Sequence, residues 1–393
     1  MAYSEPTANN FCPLPFTGLF YQNNSASSCC AMAIQPSSPL EYINSEETKK
    51  LQQDFNEGLK PEKCRNCWAK EEYGHKSIRS YFTEKNTVPR DLTKITHMEL
   101  RESNLCNFGC RMCNPASSVV IEREIKSNQE IAKFFDRNYN PDGSRIEEIE
   151  DNNPTTKENW NQILELAKDV ESIILTGGEP MLMKRYFDFL DYLISIGKQN
   201  IRLIIYTNGS VYNPIFVDKM KKFPNMSLFI SIDAVGKVAE YQRYGTKWNV
   251  VRENILKFAE LPITIKLHST MMAYSVLDVS RLADFFVELS QTKMNATLLP
   301  FTAHFAREPK GLEFINLNKE LRLRAVDQID SAIQKLSDHR LFKVYVRELA
   351  SARIQLLTRE GCQYGLFANM TKTLDRVRQE RFEDVFGYKL PSG

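Results

Sequence analysis

Three cysteines, Cys106, Cys110 and Cys113, carry the clearest chemical signal in this chain, because they follow the spacing C-x3-C-x2-C. Three soft thiolates on one short loop suit a soft metal ion or an iron–sulfur cluster. A four-iron cluster held by three cysteines leaves one iron without a protein ligand, and that iron can bind a small molecule. A structural zinc site is normally closed by four protein ligands, so three cysteines favour a cluster with an open iron.

A second motif, Gly177-Gly178-Glu179-Pro180, follows the apolar stretch 172–175. Two glycines at a strand end allow a ligand to approach the backbone closely, and a glutamate can accept charge-assisted hydrogen bonds from an ammonium group. A plain turn between a strand and a helix is the alternative interpretation of this motif alone. Its position downstream of the three cysteines favours the ligand-binding interpretation.

Together, the three cysteines and the GGEP segment resemble the radical S-adenosylmethionine (SAM) superfamily. The resemblance implies that Cys106, Cys110 and Cys113 hold a [4Fe–4S] cluster, whose fourth iron is chelated by the amino and carboxylate groups of SAM. It also implies that residues 177–180 bind the SAM amino group. The residue before the third cysteine is often aromatic in this family and lies near the adenine. Met112 takes that place here, and its flexible, polarizable side chain can pack on a purine.

A second set of cysteines lies upstream and comprises Cys12, the adjacent pair Cys29 and Cys30, and Cys64 with Cys67. Counting one of the pair, these provide four thiolates, enough for a second [4Fe–4S] cluster or a zinc site. The set is similar to the auxiliary-cluster modules called twitch and SPASM, although such modules usually follow the SAM domain. The spacing before Cys29 fits their Gly-x4-Cys element, with asparagine replacing glycine, and this favours Cys29 over Cys30 as the ligand. A zinc knuckle at Cys64 and Cys67 is the alternative, and we expect one auxiliary cluster.

Alternating patterns predict an α/β fold, a partial (βα)6 barrel. Short β-rich segments occur over residues 95–101, 172–176, 201–207, 227–233, 263–269 and 296–301. Helical patterns occur over residues 119–135, 159–168, 184–197, 214–223, 248–260 and 277–289. Six strands with crossovers match such a barrel better than a doubly wound sheet, and the family resemblance implies the same fold. Both motifs then lie at the C-terminal ends of strands, where the active sites of such barrels are found.

Polar residues at the ends of two predicted strands are candidates for further SAM contacts. Thr207 and Asn208 end the third strand, and Ser231 and Asp233 end the fourth. Their hydroxyl, amide and carboxylate groups can bond the ribose hydroxyls and the methionine carboxylate, and the resemblance implies that equivalent residues do so. Ordinary turn formation and helix capping are the alternative for each. Solvation at the surface is the favoured interpretation of Arg243, and binding of a carboxylate or phosphate is the alternative.

Three regions are expected along the chain. They are an N-terminal auxiliary-cluster module over residues 1–93, the partial barrel over 94–308, and a helical C-terminal region over 309–393 with amphipathic patterns at 317–336 and 345–357. A polar stretch over 136–159 is expected to be an inserted surface loop. Cys362 has no partner in this scheme; a simple buried or loop thiol is the favoured interpretation, and a cluster or radical role is the alternative.

Composition limits the classes to which the chain can belong. With 393 residues, 42% of them hydrophobic, it can bury a large core and hold two or three domains. Its 51 basic and 49 acidic residues give a net charge of +2, so bulk charge provides no attraction to nucleic acid or membrane. The first residues lack the basic and apolar segments of a secretory signal. Nine cysteines without such a signal predict reduced thiols and a cytoplasmic protein.

The resemblance implies an enzyme that cleaves SAM reductively to a 5′-deoxyadenosyl radical, which abstracts a hydrogen atom from the substrate. An electron donor such as a flavodoxin or ferredoxin is expected, and the auxiliary cluster would assist oxidation or bond formation. A peptide or protein is the favoured substrate, and a small alcohol, sugar or nucleotide is the alternative. A non-catalytic electron-transfer protein and a zinc-binding module are two other classes. The glutamate of the GGEP segment disfavours the first, and the three-cysteine set disfavours the second.

Overall fold

The structure is a computed structural model that describes residues 10–72, 76–83, 91–135, 155–291, 298–305, 309–359 and 363–391, with residues 298–305 described by their backbone. Cys362 and residues 136–154 of the predicted surface loop lie outside these ranges. Within them, no helix has the length and apolar character needed to cross a membrane.

Within the described residues, nine strands form one mixed sheet and two more form a separate pair. In chain order they are β1 (Gly18–Gln22), β2 (Ser25–Ser27), β3 (Gln35–Pro36), β4 (His97–Arg101), β5 (Gly109–Cys110), β6 (Ser172–Thr176), β7 (Arg202–Thr207), β8 (Met226–Ser231), β9 (Arg243–Tyr244), β10 (Thr264–Met271) and β11 (Leu298–Phe305). Six of these coincide closely with the predicted strands, and the α/β class is confirmed.

The strand order of the large sheet is β11-β10-β8-β7-β6-β4-β1-β2-β3. From β4 to β11 the strands are parallel and neighbours in the sheet follow the order of the chain. A doubly wound sheet reverses its order at a switch point, whereas a barrel winds in one direction. The unbroken order from β4 to β11 therefore favours the barrel type of winding that the sequence predicted.

Strand β1, which like β2 and β3 was not predicted, joins the N-terminal edge to the rest of the sheet. It lies parallel to β4 with Gly18 opposite His97 and Gln22 opposite Arg101, and β2 continues the edge in the antiparallel sense. Leu19 of β1 is fully buried in the main core. The predicted 1–93 region is thus joined to the barrel sheet by backbone hydrogen bonds.

One face of the sheet is covered by helices and forms the main core. In β6, Ile173 and Leu175 are buried while the alternate residues are partly exposed. The covering helix α9 (Lys184–Ser195) places Phe189, Leu190 and Leu193 on its buried side, at the spacing of an amphipathic helix. The opposite face of the sheet, away from the helices, therefore carries partly exposed side chains.

The helices before residue 94 and the helix Gly236–Gln242 were not predicted. The other helices up to residue 291 agree with the predicted helical patterns, except that the first of them is interrupted at Asn128. Its backbone φ of −141° ends the helix, and a short 3-10 turn separates the two parts. In order they are α1 (Leu14–Thr17), α2 (Pro39–Asn44), α3 (Glu46–Asn56), α4 (Arg65–Glu72), α5 (Ile78–Thr83), α6 (Val119–Ser127), α7 (Ala132–Phe135), α8 (Lys157–Leu166), α10 (Pro214–Met220), α11 (Gly236–Gln242), α12 (Trp248–Ala259) and α13 (Val279–Gln291).

The C-terminal region is helical, as predicted. It contains α14 (Lys319–Leu336), α15 (Lys343–Thr358), α16 (Tyr364–Arg378) and α17 (Phe382–Phe386). Helix α14 packs against α13, and α15 packs against β11 at the edge of the sheet. This region therefore covers the last strand of the barrel.

Candidate active site and second cysteine site

The predicted cluster cysteines lie on one loop after β4. Its middle forms β5, in which Cys110 pairs with Arg243 of β9. Cys110 is buried, and Cys106 and Cys113 are partly buried. The Cys113 N–H donates to the carbonyl of Cys110 at 3.0 Å, so the second and third cysteines are held in one tight turn.

Burial raises the pKa of all three thiols, and the nearby Cys110 raises those of Cys106 and Cys113 further, that of Cys113 to about 12. These thiols are therefore protonated without metal, and cluster binding must displace their protons. In the described ranges, no three Cys, His, Asp or Glu side chains are placed to hold a single metal ion. Thiolates on different irons of a cluster stand farther apart than ligands of one ion. Three sulfur donors on one buried loop thus fit a [4Fe–4S] cluster.

The GGEP segment packs directly against the chain just before Cys106. Gly178 N–H donates to the carbonyl of Ser103 at 3.1 Å, and Glu179 N–H donates to that of Leu105 at 2.8 Å. A Cβ on Gly178 would lie 2.1 Å from the Leu105 carbonyl oxygen. The sequence predicted that these glycines admit a ligand, and the structure shows that Gly178 admits the cluster loop itself.

Gly177 is the second glycine that the turn requires. Its φ of +111° lies in a region that residues with side chains rarely adopt. Both glycines are partly exposed, whereas Pro180 is buried. The backbone of Gly177 and Gly178 is therefore the part of the segment that a ligand can reach.

The carboxylate of Glu179 is fully buried and already has three donors within the chain. One oxygen accepts from Thr207 Oγ1 at 2.9 Å and from Met181 N–H at 3.1 Å, and the other accepts from Asn208 N–H at 2.7 Å. Burial raises its pKa to about 7 against these hydrogen bonds. Glu179 thus ties the end of β7 to the GGEP turn. A carboxylate has about four acceptor positions, and three of them are occupied within the chain.

Thr207 and Asn208 belong to the same group of contacts at the end of β7. The Asn208 Nδ2 lies 3.8 Å from the Sγ of Cys106, within range of a hydrogen bond to sulfur, and donates to Asn107 Oδ1 at 3.0 Å. Both partners are on the cluster loop. The structure therefore brings Asn208 to the first cysteine and Thr207 to Glu179 of the GGEP segment.

The end of β8 contacts the other side of the loop. Asp233 is 1% exposed and pairs with Arg243 Nη2 at 2.6 Å, and it accepts from Thr270 N–H at 2.7 Å. Arg243 in turn lies close enough to Cys110 and Cys113 to lower their thiol pKa against the larger effect of burial. The prediction that Arg243 is a solvated surface residue is therefore wrong, since its side chain is only 13% exposed.

Ser231 and Met112 have less specific surroundings. Ser231 is the last residue of β8 and is partly exposed on the face of the sheet opposite the helices. Met112 is partly buried and packs against the main core. Their predicted roles beside the ribose and the adenine stay predictions.

The four predicted auxiliary cysteines line a single cavity in the N-terminal region. The cavity encloses about 370 Å³ of empty space, part of it open to solvent. Its wall is otherwise mostly apolar, and Cys12 belongs to a small core of its own, distinct from the main one. The sulfur-bearing residues on this wall are Cys12, Cys29, Met32, Cys64 and Cys67. Four thiols around one apolar cavity fit a closed [4Fe–4S] cluster, and in the described ranges they are not spaced to hold a single zinc ion.

Cys29 and Cys30 differ in their placement. Cys29 lines the cavity, whereas Cys30 is not among the lining residues and lies beside Glu99 of β4 instead. Burial raises the pKa of the Cys29 thiol to about 11, and the Cys67 thiol raises it further. The geometry thus agrees with the preference for Cys29 as the fourth ligand.

A comparison with protein families finds a match for the part of the chain that holds Cys106, Cys110 and Cys113. Residues 103–285 match the model of the radical SAM superfamily. A comparison with curated proteins gives no match. Among solved structures, anSMEcpe with bound AdoMet has 12% identity over 63% of this chain and 63% of its own, with a TM-score of 0.42. Streptococcus suis SuiB bound to the precursor peptide SuiA has 19% identity over 74% of this chain and 60% of its own, with a TM-score of 0.40.

This chain therefore spans only about three fifths of the length of those two proteins. The family match covers the three cysteines, the GGEP segment and the polar ends of β7 and β8. Residues 103–285 of this chain are a radical SAM domain.

Proposed function

We propose that the chain cleaves SAM reductively, with a [4Fe–4S] cluster on Cys106, Cys110 and Cys113. The observation that carries this proposal is the direct packing of the cysteine loop on the GGEP turn, with Glu179 N–H bonded to the Leu105 carbonyl at 2.8 Å. The cluster ligands and the exposed glycine backbone thus lie together at the C-terminal ends of β4 and β6. Held there by Cys106, Cys110 and Cys113, a cluster would supply the one electron needed for cleavage of SAM into methionine and a 5′-deoxyadenosyl radical.

The chain's own residues bind and orient SAM in this proposal. The backbone carbonyls of Gly177 and Gly178 accept from the SAM ammonium group, with the buried Glu179 adding negative charge behind them. Asn208 and Ser231, at neighbouring strand ends, bond the ribose and carboxylate oxygens. Holding the reacting groups in one orientation is the main contribution that such a site makes to the rate.

We extend the proposal to a second [4Fe–4S] cluster on Cys12, Cys29, Cys64 and Cys67, which line one cavity. That cluster would accept the electron left on the substrate, so that hydrogen abstraction ends in oxidation or bond formation. A peptide or protein is the proposed substrate, because the cysteine set is similar to twitch and SPASM modules; a small alcohol, sugar or nucleotide is the alternative. A low-potential flavodoxin or ferredoxin is the proposed electron donor.

The partly exposed face of the sheet is the proposed substrate surface. It lies directly below the strand ends and carries a mixture of groups, including Tyr206 stacked on Phe229 at 4.7 Å and Arg101 bonded to Thr176. Mixed aromatic and polar side chains suit a ligand that has both apolar and hydrogen-bonding parts.

The test is anaerobic reconstitution followed by measurement of 5′-deoxyadenosine with dithionite as the reductant. Wild type should form it, Cys110→Ala should form none, and Glu179→Ala should form much less. Cys30→Ala serves as the matched control, because it removes a thiol that lines neither site. Absence of 5′-deoxyadenosine from a wild-type protein that holds its cluster would refute the proposal.

Iron analysis separates the two clusters. The Cys106/Cys110/Cys113→Ala triple variant should keep about half of the wild-type iron, and it should lose the SAM-dependent change in the EPR spectrum. If zinc rather than iron remains in that variant, the proposed radical SAM function stands and the assignment of a second iron–sulfur cluster is wrong.

A further inference from the structure

Arg111, the residue after the second cluster cysteine, is an arginine with no exposed surface. Its Nε donates to the carbonyl of Tyr241 at 3.0 Å, and its guanidinium lies 3.6 Å from the centre of the Tyr241 ring. Isolated arginines in polar loops are usually solvated, because burying a charge without partners is costly. The position of Arg111 inside the protein therefore depends on the groups that surround it.

Both carboxylates that neutralise Arg111 come from the C-terminal region. Its Nη2 donates to Asp375 Oδ1 at 2.7 Å and to Glu380 Oε2 at 2.8 Å. Asp375 lies in α16 and also accepts from the Tyr241 hydroxyl at 2.7 Å and from Phe382 N–H at 2.8 Å. The acceptor is thus fixed from several sides, and a forked guanidinium transmits that orientation better than an ammonium would.

An arginine of α16 itself contacts the other side of the cluster loop. Arg378, with 1% of its side chain exposed, pairs with Glu124 at 2.6 Å and lies 4.6 Å from the ring centre of Tyr244. Tyr244 is the β9 residue opposite Gly109 in the two-stranded pair. Helix α16 therefore supports the loop on both sides of Cys110, through Gly109 and through Arg111.

We propose that Arg111 is a positioning residue for the cluster, and that it holds Cys110 in place through Asp375 and Glu380. The inference rests on the proposed function and gives the C-terminal region a task in it. Without Arg111 the two carboxylates would face each other unneutralised, and without them Arg111 would be a buried unpaired charge. The loop therefore keeps its conformation only while α16 and the residue Glu380 are docked against it.

The first test uses the full-length protein without metal, so that it does not depend on cluster assembly. Thiols are labelled with N-ethylmaleimide under native conditions, and each site is followed by peptide mass spectrometry. In Arg111→Met, Cys110 should label about tenfold faster or more, because its protection reflects local opening of the loop. Cys12 lies in the separate small core and should label at the wild-type rate, which makes it an internal control for global unfolding.

Two further variants sharpen the comparison. Arg376→Met removes an arginine that is on the same helix and also pairs with a carboxylate, Glu130, but is exposed, and it should leave Cys110 labelling within about twofold of wild type. The double change Asp375→Asn, Glu380→Gln should resemble Arg111→Met. Unchanged Cys110 labelling in Arg111→Met, or an equal increase at Cys12, overturns the proposal.

The second test uses the reconstituted protein and asks for a signature that general destabilisation does not give. In Arg111→Met, the EPR spectrum of the reduced cluster should change at iron contents matched to wild type, whereas Arg111→Lys should restore part of the wild-type spectrum. Identical spectra for wild type and Arg111→Met overturn the positioning role. If wild type itself binds no cluster, the proposed function fails, and the labelling result still decides the structural claim.

Discussion

Replacing Gly178 with alanine tests whether the glycine serves the chain or only a ligand. A Cβ at this position would lie 2.1 Å from the Leu105 carbonyl oxygen and 2.4 Å from its carbon, whereas ordinary contacts begin at 3.4 Å. One of the two segments must therefore move by about 1.3 Å. The opposing atoms are backbone, and Leu105 is held by Glu179 N–H, so neither can turn aside as a side chain could.

The size of this movement sets the expected effects. Overpacking of a tight contact costs about 1–3 kcal/mol, and we expect the upper end because the clash is between backbones. The residue next to Leu105 is Cys106, so the first cluster ligand moves as well. A displacement of about 1 Å can cost about 100-fold in rate, and we expect a loss of that order in SAM cleavage by Gly178→Ala.

The assay compares the melting temperature of the metal-free protein with the rate of 5′-deoxyadenosine formation after reconstitution. Gly365→Ala is the matched control, since a Cβ there meets no atom within 4 Å and alanine favours a helix. A lower melting temperature of the metal-free Gly178→Ala protein shows that the chain itself needs the glycine. If that temperature is unchanged while SAM cleavage is lost, the glycine serves the ligand alone and the packing argument is refuted.

Three other predictions follow from the same contacts. Burial raises the pKa of Glu179 from 4.5 to about 7, so the folded protein binds this proton more tightly than the unfolded one. The free energy of unfolding of the metal-free protein should therefore fall by up to about 3 kcal/mol as the pH rises from 4.5 to 7. Denaturant titrations of Glu179→Gln should lack this part of the pH dependence. Cys29→Ala should lose about half of the bound iron whereas Cys30→Ala should keep it; equal losses measured by iron analysis would contradict the assignment of Cys29. Asp233→Asn leaves the positive charge of Arg243 beside Cys110 without its partner, and a positive charge favours the reduced, more negative cluster. An EPR redox titration should therefore show a higher midpoint potential for the cluster in this variant. A lower midpoint potential would contradict the reasoning.

The parts of the fold that the sequence predicted are those with local patterns. The β-rich segments and the helices between them have apolar residues at periods of about two and 3.6, and each period is visible within a window of a dozen residues. Strand β10, for example, alternates between buried and partly exposed residues along its whole length. The cysteine spacing is equally local, since Cys106 and Cys113 lie on one loop.

Strand β1 shows why the rest was not predictable. Its five residues are all buried, so they do not alternate between buried and exposed positions. They also lie in the cysteine-rich segment that the sequence analysis interprets as an auxiliary-cluster module. Its partner β4 begins at His97, far along the chain. Parallel pairing over such a distance is decided by tertiary packing, and the sequence of either strand alone does not specify it.

In the candidate site, too, the residues with a local sequence pattern were predicted, and the contacts made by tertiary packing were not. The sequence identified the glycines of the GGEP segment because two glycines at a strand end allow a close approach to the backbone, but it did not show that the backbone of Leu105 occupies the space beside Gly178. Arg243 was expected at the surface, because the short sequence around it contains no sign that Asp233 would be its partner. An arginine gives the same local signal whether it is solvated or buried in an ion pair.

Contacts to the cluster loop therefore come from several separate parts of the described chain: the GGEP turn after β6, Asn208 at the end of β7, the Asp233–Arg243 pair near β8 and β9, and the C-terminal residues Asp375 and Glu380. None of them is a neighbour of the cysteines in sequence, so the shape of the loop depends on how the sheet and the C-terminal helices pack around it. A chain ending at residue 308 would keep all three cysteines and the GGEP segment, yet Arg111 would lack both carboxylates. Because a buried arginine without a partner is not tolerated, such a chain would move Arg111 to solvent and displace Cys110 with it.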